Sequence, residues 1–112
     1  MKTNIKSLTS EQKKFYKNNG YLLVENFIAK KTAQKIKQFA LKKLAEKPSY
    51  PINLNVHRRE KLFKDIIKNK NLVNIVESLQ KKSVVALNDQ MIYKKRGSAY
   101  GGQSWTMHQD NA

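Results

Sequence analysis

Two residues near the end of the printed sequence have the types and the spacing of metal ligands. His108 and Asp110 are separated by one residue, Gln109. In a β-strand, side chains two positions apart point to the same side, so this imidazole and this carboxylate would converge on one point. They would be two of the three ligands in the site, made of two histidines and one carboxylate, that binds non-haem Fe(II). The spacing predicts a metal site if the backbone here is extended; the alternative is a chance pair on a surface strand.

The remaining histidine does not complete this site in our interpretation. His57 lies in a stretch rich in proline and asparagine, beside Arg58 and Arg59, whose charges repel a cation. We interpret His57 as an ordinary surface or loop residue. The chain has no cysteine, which excludes disulfides, thiolate metal sites and thiol catalysis. This composition fits a reducing compartment, and we expect a cytoplasmic protein.

The net charge of +15 allows two interpretations. One is a small basic protein that binds nucleic acid or another polyanion. The other is compositional drift, because lysine is spread along the whole chain and the only arginines are Arg58, Arg59 and Arg96. Specific recognition of phosphates and bases relies on the arginine fork. We favour drift, expect no specific nucleic-acid partner, and keep the polyanion-binding protein as the alternative function.

Length and hydropathy limit the architecture. A chain of 112 residues forms at most one domain. No apolar run approaches the roughly 20 residues that span a bilayer, and the basic start leads into no apolar segment. We therefore expect a single domain over residues 1–112, with neither a membrane partner nor a secretory signal.

The opening residues predict a helix and then a short strand. Thr9 is a good N-cap, and Gln12 follows it at the spacing of a capping box. The helix should run to about Asn19 and end at Gly20 in the left-handed conformation. Residues 21–24 are aromatic and aliphatic, which favours a strand.

The next part of the chain is predicted to be helical. Residues 30–46 form the clearest helix, residues 49–56 a loop, and residues 60–68 and 72–79 two amphipathic helices. The apolar stripe of the first of these helices consists of Ala33, Ile36, Ala40 and Leu44. Residues 1–82 should thus be mainly helical, with one short strand.

The pattern changes after residue 82. Apolar and polar residues are interleaved from 83 to 95, which suits a strand period better than a helical one. Residues 96–104 contain three of the four glycines and predict a loop. Residues 105–112, with the His-x-Asp pair, would form the next strand. The order is therefore several helices followed by the first strands of a sheet.

This order of features resembles a known family. The segment from Leu8 to Phe27, with its helix, Asn-Gly-Tyr turn and short strand, resembles the N-terminus of the phytanoyl-CoA dioxygenase family. The strand from Val84 to Lys95, the glycine-containing loop and the run His108-Gln109-Asp110-Asn111 follow in the family's order. The resemblance covers nearly the whole chain.

The resemblance implies both a fold and an activity. The fold class is α+β, with N-terminal helices packed on the opening strands of an incomplete double-stranded β-helix, or jelly roll. The activity is that of an oxidoreductase, an Fe(II)/2-oxoglutarate-dependent dioxygenase. Its partners would be O₂ and a small-molecule substrate that it hydroxylates.

The resemblance also implies roles for particular residues. His108 and Asp110 resemble the first two iron ligands, and no further catalytic residue is assigned. Gln90 and Tyr93 lie on the strand that, in this family, helps to line the pocket for the cosubstrate and substrate. The family's distal histidine and its cation for the 2-oxoglutarate carboxylate have no match in the printed sequence. We therefore expect an N-terminal fragment of such an enzyme that is inactive alone.

Overall fold

The structure is a computed structural model that describes residues 1–46 and 52–93. These residues are mainly helical and carry a two-stranded antiparallel sheet. The elements are α1 (Ser10–Asn19), α2 (Lys30–Glu46), β1 (Ile52–Leu54), α3 (Val56–Arg59), α4 (Lys61–Ile67), α5 (Lys70–Gln80) and β2 (Gln90–Ile92). No helix among the described residues is long and apolar enough to cross a membrane.

Local capping signals set both ends of α1, as predicted. The Gln12 backbone N–H donates to Thr9 Oγ1 at 3.1 Å, and the Thr9 N–H donates to Gln12 Oε1 at 2.9 Å. These two bonds satisfy N–H groups that have no partner within the helix. At the other end Gly20 has φ +78° and donates its N–H to the Tyr16 carbonyl oxygen at 2.8 Å. Both predicted helix boundaries are confirmed.

Gly20 gives a direct test of the helix end. We expect Gly20→Ala to lower the free energy of unfolding by about 1 kcal/mol, because a Cβ disfavours positive φ. No atom lies within 4 Å of the position of an added Cβ, so the cost comes from the backbone conformation alone. Gly20→Asn is the matched control and should lose less, since asparagine tolerates this conformation better. Urea denaturation followed by circular dichroism measures both, and equal losses would contradict the explanation.

The long helix α2 has the predicted bounds and packs through an aromatic contact. The Phe39 and Phe63 rings lie 5.3 Å apart between centroids, which joins α2 to α4. The Lys43 ammonium lies 5.6 Å from the Phe39 centroid and 3.1 Å from Glu60 Oε1. In the predicted stripe Ile36 is half-buried. The helix thus covers its apolar face only in part within the described residues.

The small core draws residues from the segment before α1, from α3 and from α5. Leu8, Val56 and Ile75 are the buried apolar residues among those described. Helix α5 contacts both α1 and α4. Its start is also tied to the beginning of the chain, because Asn69 Nδ2 donates to the Met1 carbonyl oxygen at 2.8 Å and Asn71 Nδ2 to Thr3 Oγ1 at 2.6 Å.

The strands differ from the prediction in position. Residues 21–24 were predicted to be a strand but form none; instead the Tyr21 ring packs edge-on against Phe15, with centroids 5.4 Å apart. The short strand of residues 1–82 is β1, inside the predicted loop 49–56, and α3 then begins at Val56. A strand needs a ladder partner, and β1 has one whereas residues 21–24 do not.

The predicted strand over residues 83–95 is shorter in the structure. Of residues 83–93, only Gln90–Ile92 form strand, and residues 83–89 have no regular secondary structure. Strand β2 pairs with β1 so that Leu54 lies opposite Gln90. Residues 83–89 form no strand, since they have no ladder partner among the described residues; Val85, for example, is 89% exposed.

Candidate functional site

The structure describes the two residues predicted to bind the cosubstrate but not the two predicted to bind the metal. His108 and Asp110 lie outside the described residues. Gln90 begins β2 and is exposed, whereas Tyr93 directly follows β2 and is half-buried. Residues three apart in extended backbone point to opposite faces, which agrees with this difference. The assignment of Gln90 and Tyr93 to one pocket stays a prediction.

A polar cluster that sequence reasoning did not find lies at the end of the β1–β2 ladder. The ladder continues one step beyond its last pair, because the Asn55 N–H donates to the Asp89 carbonyl oxygen at 2.8 Å. Asn55 has φ +52° and turns the chain from β1 into α3. Asparagine is one of the few residues that adopts this conformation readily. The turn places Val56 and His57 beside Asp89, which precedes β2.

The Asp89 carboxylate accepts three hydrogen bonds from the start of α3. The Val56 N–H donates to Oδ2 at 3.2 Å, and the His57 N–H donates to Oδ1 at 3.3 Å. The His57 imidazole Nδ1 also contacts Asp89 Oδ1. Asp89 therefore binds both the backbone and the side chain of a segment 32 residues away. We call His57, Asp89 and the Val56 N–H the His57–Asp89 latch.

His57 is not the surface residue that was predicted. Its side chain is only 9% exposed, and it lies in α3 rather than in a loop. The neighbouring arginines bind carbonyl oxygens: Arg58 that of Leu87 at 3.4 Å, and Arg59 that of Leu54 at 2.9 Å. The prediction was wrong because it rested on the charges of the neighbouring arginines, and the sequence does not show that Asp89 lies beside His57.

The latch has a defined electrostatic character. Burial raises the pKa of the Asp89 carboxyl, but the hydrogen bonds from the His57 imidazole and from the His57 and Val56 N–H groups, together with the electrostatic attraction of His57, outweigh it. The net effect lowers the pKa of Asp89 below its ordinary value. An ionised carboxylate only accepts hydrogen bonds, so Nδ1 of His57 must carry the proton that it donates. This fixes the orientation of the imidazole and the tautomer of its neutral form.

The role of the latch is to hold two parts of the chain in position. No group of three or more His, Cys, Asp or Glu side chains suited to a metal occurs within residues 1–46 and 52–93. The latch instead fastens α3 to the start of β2. It therefore fixes the position of Gln90, the first residue of that strand.

Nothing in the sequence pattern pointed to the latch. Asp89 looked like one of the polar residues interleaved in a strand, and 32 positions separate it from His57.

Comparison with known proteins finds no relative of this chain. No protein-family model matches the chain, and no curated protein or solved structure matches it either.

Proposed function

We propose that this chain carries part of the active site of an Fe(II)/2-oxoglutarate-dependent dioxygenase. The proposed enzyme hydroxylates a small organic substrate and belongs to the phytanoyl-CoA dioxygenase family, with helices packed on a jelly roll. The observation that carries the proposal is the His108-Gln109-Asp110 run, which follows the helices, turn and strand in the order that the family uses.

The donor set suits the proposed metal. An imidazole and a carboxylate are ligands that Fe(II) accepts well, and His108 and Asp110 supply one of each. When bound, the iron would supply the oxidative decarboxylation of 2-oxoglutarate and the hydroxylation of a C–H bond. The protein residues would hold the metal, orient the substrate and exclude water. His57 is not used as a ligand in this proposal, since Asp89 engages its Nδ1.

The order of helices and strands in the described part of the chain supports the proposal. Gly20 caps the end of helix α1, and Tyr21 follows it. These residues belong to the turn on which the resemblance depends. The helices precede β2, and β2 pairs antiparallel with β1, as strands of a jelly roll do. The His57–Asp89 latch holds the start of β2, the strand from which the chain continues towards His108.

Anaerobic calorimetric titration of the full chain with Fe(II), in the presence of 2-oxoglutarate, tests the proposal. We expect His108→Ala and Asp110→Ala each to weaken Fe(II) binding by about tenfold, because each removes one ligand. Gln109→Ala is the matched control, since the side chain between two ligands in a strand points away from the metal. It should leave binding unchanged.

Two results would contradict the proposal. One is the same Fe(II) affinity in the wild type, His108→Ala and Asp110→Ala. The other is an equal loss in the Gln109→Ala control, which would indicate that the segment matters for a reason other than ligation.

A further inference from the structure

A cleft lined by lysines lies between α1 and α5, away from the His57–Asp89 latch. Its volume is ≈ 340 Å³. Four of its lining residues are lysines, and Tyr16 and Leu79 are among the others; the lysines are Lys13, Lys14, Lys17 and Lys81. None of the described residues that line it is acidic. A concave site of this size is at the lower end of the range for small-molecule ligands, about 300–1,000 Å³.

The helices place these lysines together. Lys13 and Lys17 are one turn apart on α1, so both side chains lie on one face, and Lys14 is adjacent. Lys81 is the C-cap of α5, with φ +57°, and its N–H donates to the Glu77 carbonyl oxygen at 2.8 Å. This turn brings a cation from the second helix to the same cleft.

A side-chain hydrogen bond joins the two walls. Gln80 Nε2 donates to Tyr16 Oη at 3.2 Å, directly next to Lys81 and Lys17 in the sequence. The cations of α1 and of α5 are thus held on elements that contact each other. The two helices therefore fix the backbone positions of the four lysines around one cleft.

The positive charge of the cleft is not neutralised within the described residues. The salt bridges among the described residues are made by Lys43, Lys61 and His57, and none of the four cleft lysines has a carboxylate oxygen of a described residue within 4.0 Å. Glu77, on α5, directs its carboxylate to the Val84 N–H at 3.2 Å. Four lysines line one cleft, and a bound anion would offset their positive charge.

We propose that this cleft binds a small polyphosphorylated molecule, one with at least two linked phosphates. Lysine ammonium groups are compact point charges that bind phosphate oxygens without the planar geometry that arginine requires. Several charges in a bounded cleft match a ligand with several charges on a short chain. A long nucleic-acid strand instead needs a basic groove that follows its backbone, often with exposed aromatic faces for stacking. Tyr16 is half-buried, with its hydroxyl engaged by Gln80.

Calorimetric titration with inorganic tripolyphosphate tests the proposal on the full chain without iron. We expect Lys17→Gln/Lys81→Asn, which removes one cation from each wall, to weaken binding by about tenfold or more. Asparagine is chosen at position 81 because it tolerates positive φ. The control is Lys31→Gln/Lys37→Gln, which removes two exposed charges from α2 and should change the affinity less than about twofold. Circular dichroism establishes that each variant is folded.

The outcomes separate this site from binding that depends on net charge alone. Equal weakening in the two double variants would overturn the proposal, because affinity would then follow total charge. Binding of a single-stranded oligonucleotide that depends on Lys17 and Lys81, without binding of tripolyphosphate, would also overturn it. Because no iron is present, failure here leaves the proposed dioxygenase function untouched.

Discussion

Asp89→Ala is expected to lower the free energy of unfolding by about 3 kcal/mol at neutral pH. The substitution removes the acceptor of three hydrogen bonds from the start of α3, two from backbone N–H groups and one from the His57 imidazole. Val56 is 2% exposed and His57 7% exposed, so water cannot readily replace the lost carboxylate. Buried donors without partners are costly, which makes this loss large for a chain with so few buried residues.

The loss should depend on pH with a definite sign. The pKa of Asp89 is lower in the folded protein than its ordinary value, so folding favours the ionised form. The stabilisation is therefore complete above the ordinary pKa of about 4 and is lost as the pH falls through the lower folded-state value. The difference in stability between wild type and Asp89→Ala should shrink as the pH falls below about 4.

Urea denaturation followed by circular dichroism at a series of pH values measures this difference. Asp65→Asn is the control, because Asp65 is paired at 2.6 Å with a Lys61 side chain that is 85% exposed. Exposed pairs contribute little, so this variant should stay close to wild type. A change of less than about 0.5 kcal/mol in Asp89→Ala would contradict the role of the latch.

Ile75→Ala is the second substitution with a large expected effect, a loss of about 3 kcal/mol in the free energy of unfolding. Ile75 is 6% exposed and lies on α5, the helix that contacts both α1 and α4. Removing most of its side chain leaves a cavity whose lining loses dispersion contacts as well as burial. Because α5 joins two other helices, the loss should weaken the whole helical part.

Asn74→Ala is the control for this position. Asn74 precedes Ile75 on the same helix and is exposed, so its truncation removes no packing and improves helix propensity. Thermal unfolding of both variants, followed by circular dichroism, distinguishes burial from a general effect of alanine on α5. Similar midpoints for Ile75→Ala and wild type would show that Ile75 does not belong to the core.

Helices α1 and α2 were predictable because the interactions that define them are local. The Thr9 capping box, the Gly20 stop and the apolar stripe of Lys30–Glu46 each involve residues within one or two turns of each other. A residue pattern therefore contains all the partners that determine the result.

The strands and the candidate site were predicted less well. Residues 21–24 have strand composition yet form no strand, while Ile52–Leu54, in a predicted loop, pair with Gln90–Ile92. The paired residues lie far apart in the chain: Ile52 lies opposite Ile92 and Leu54 opposite Gln90. Strand propensity depends on context because the availability of a pairing partner decides whether a segment forms a strand.

The amino-acid sequence by itself determined where α1 and α2 begin and end, and it supplied the His108–Asp110 pair as a chemical hypothesis. Only the tertiary structure decided that His57 is buried against Asp89 and that four lysines from two helices share one cleft. The physical reason is the range of the interactions. Helix hydrogen bonds and caps join neighbours in the chain, whereas strand pairing, burial and charge clustering join residues that only folding brings together.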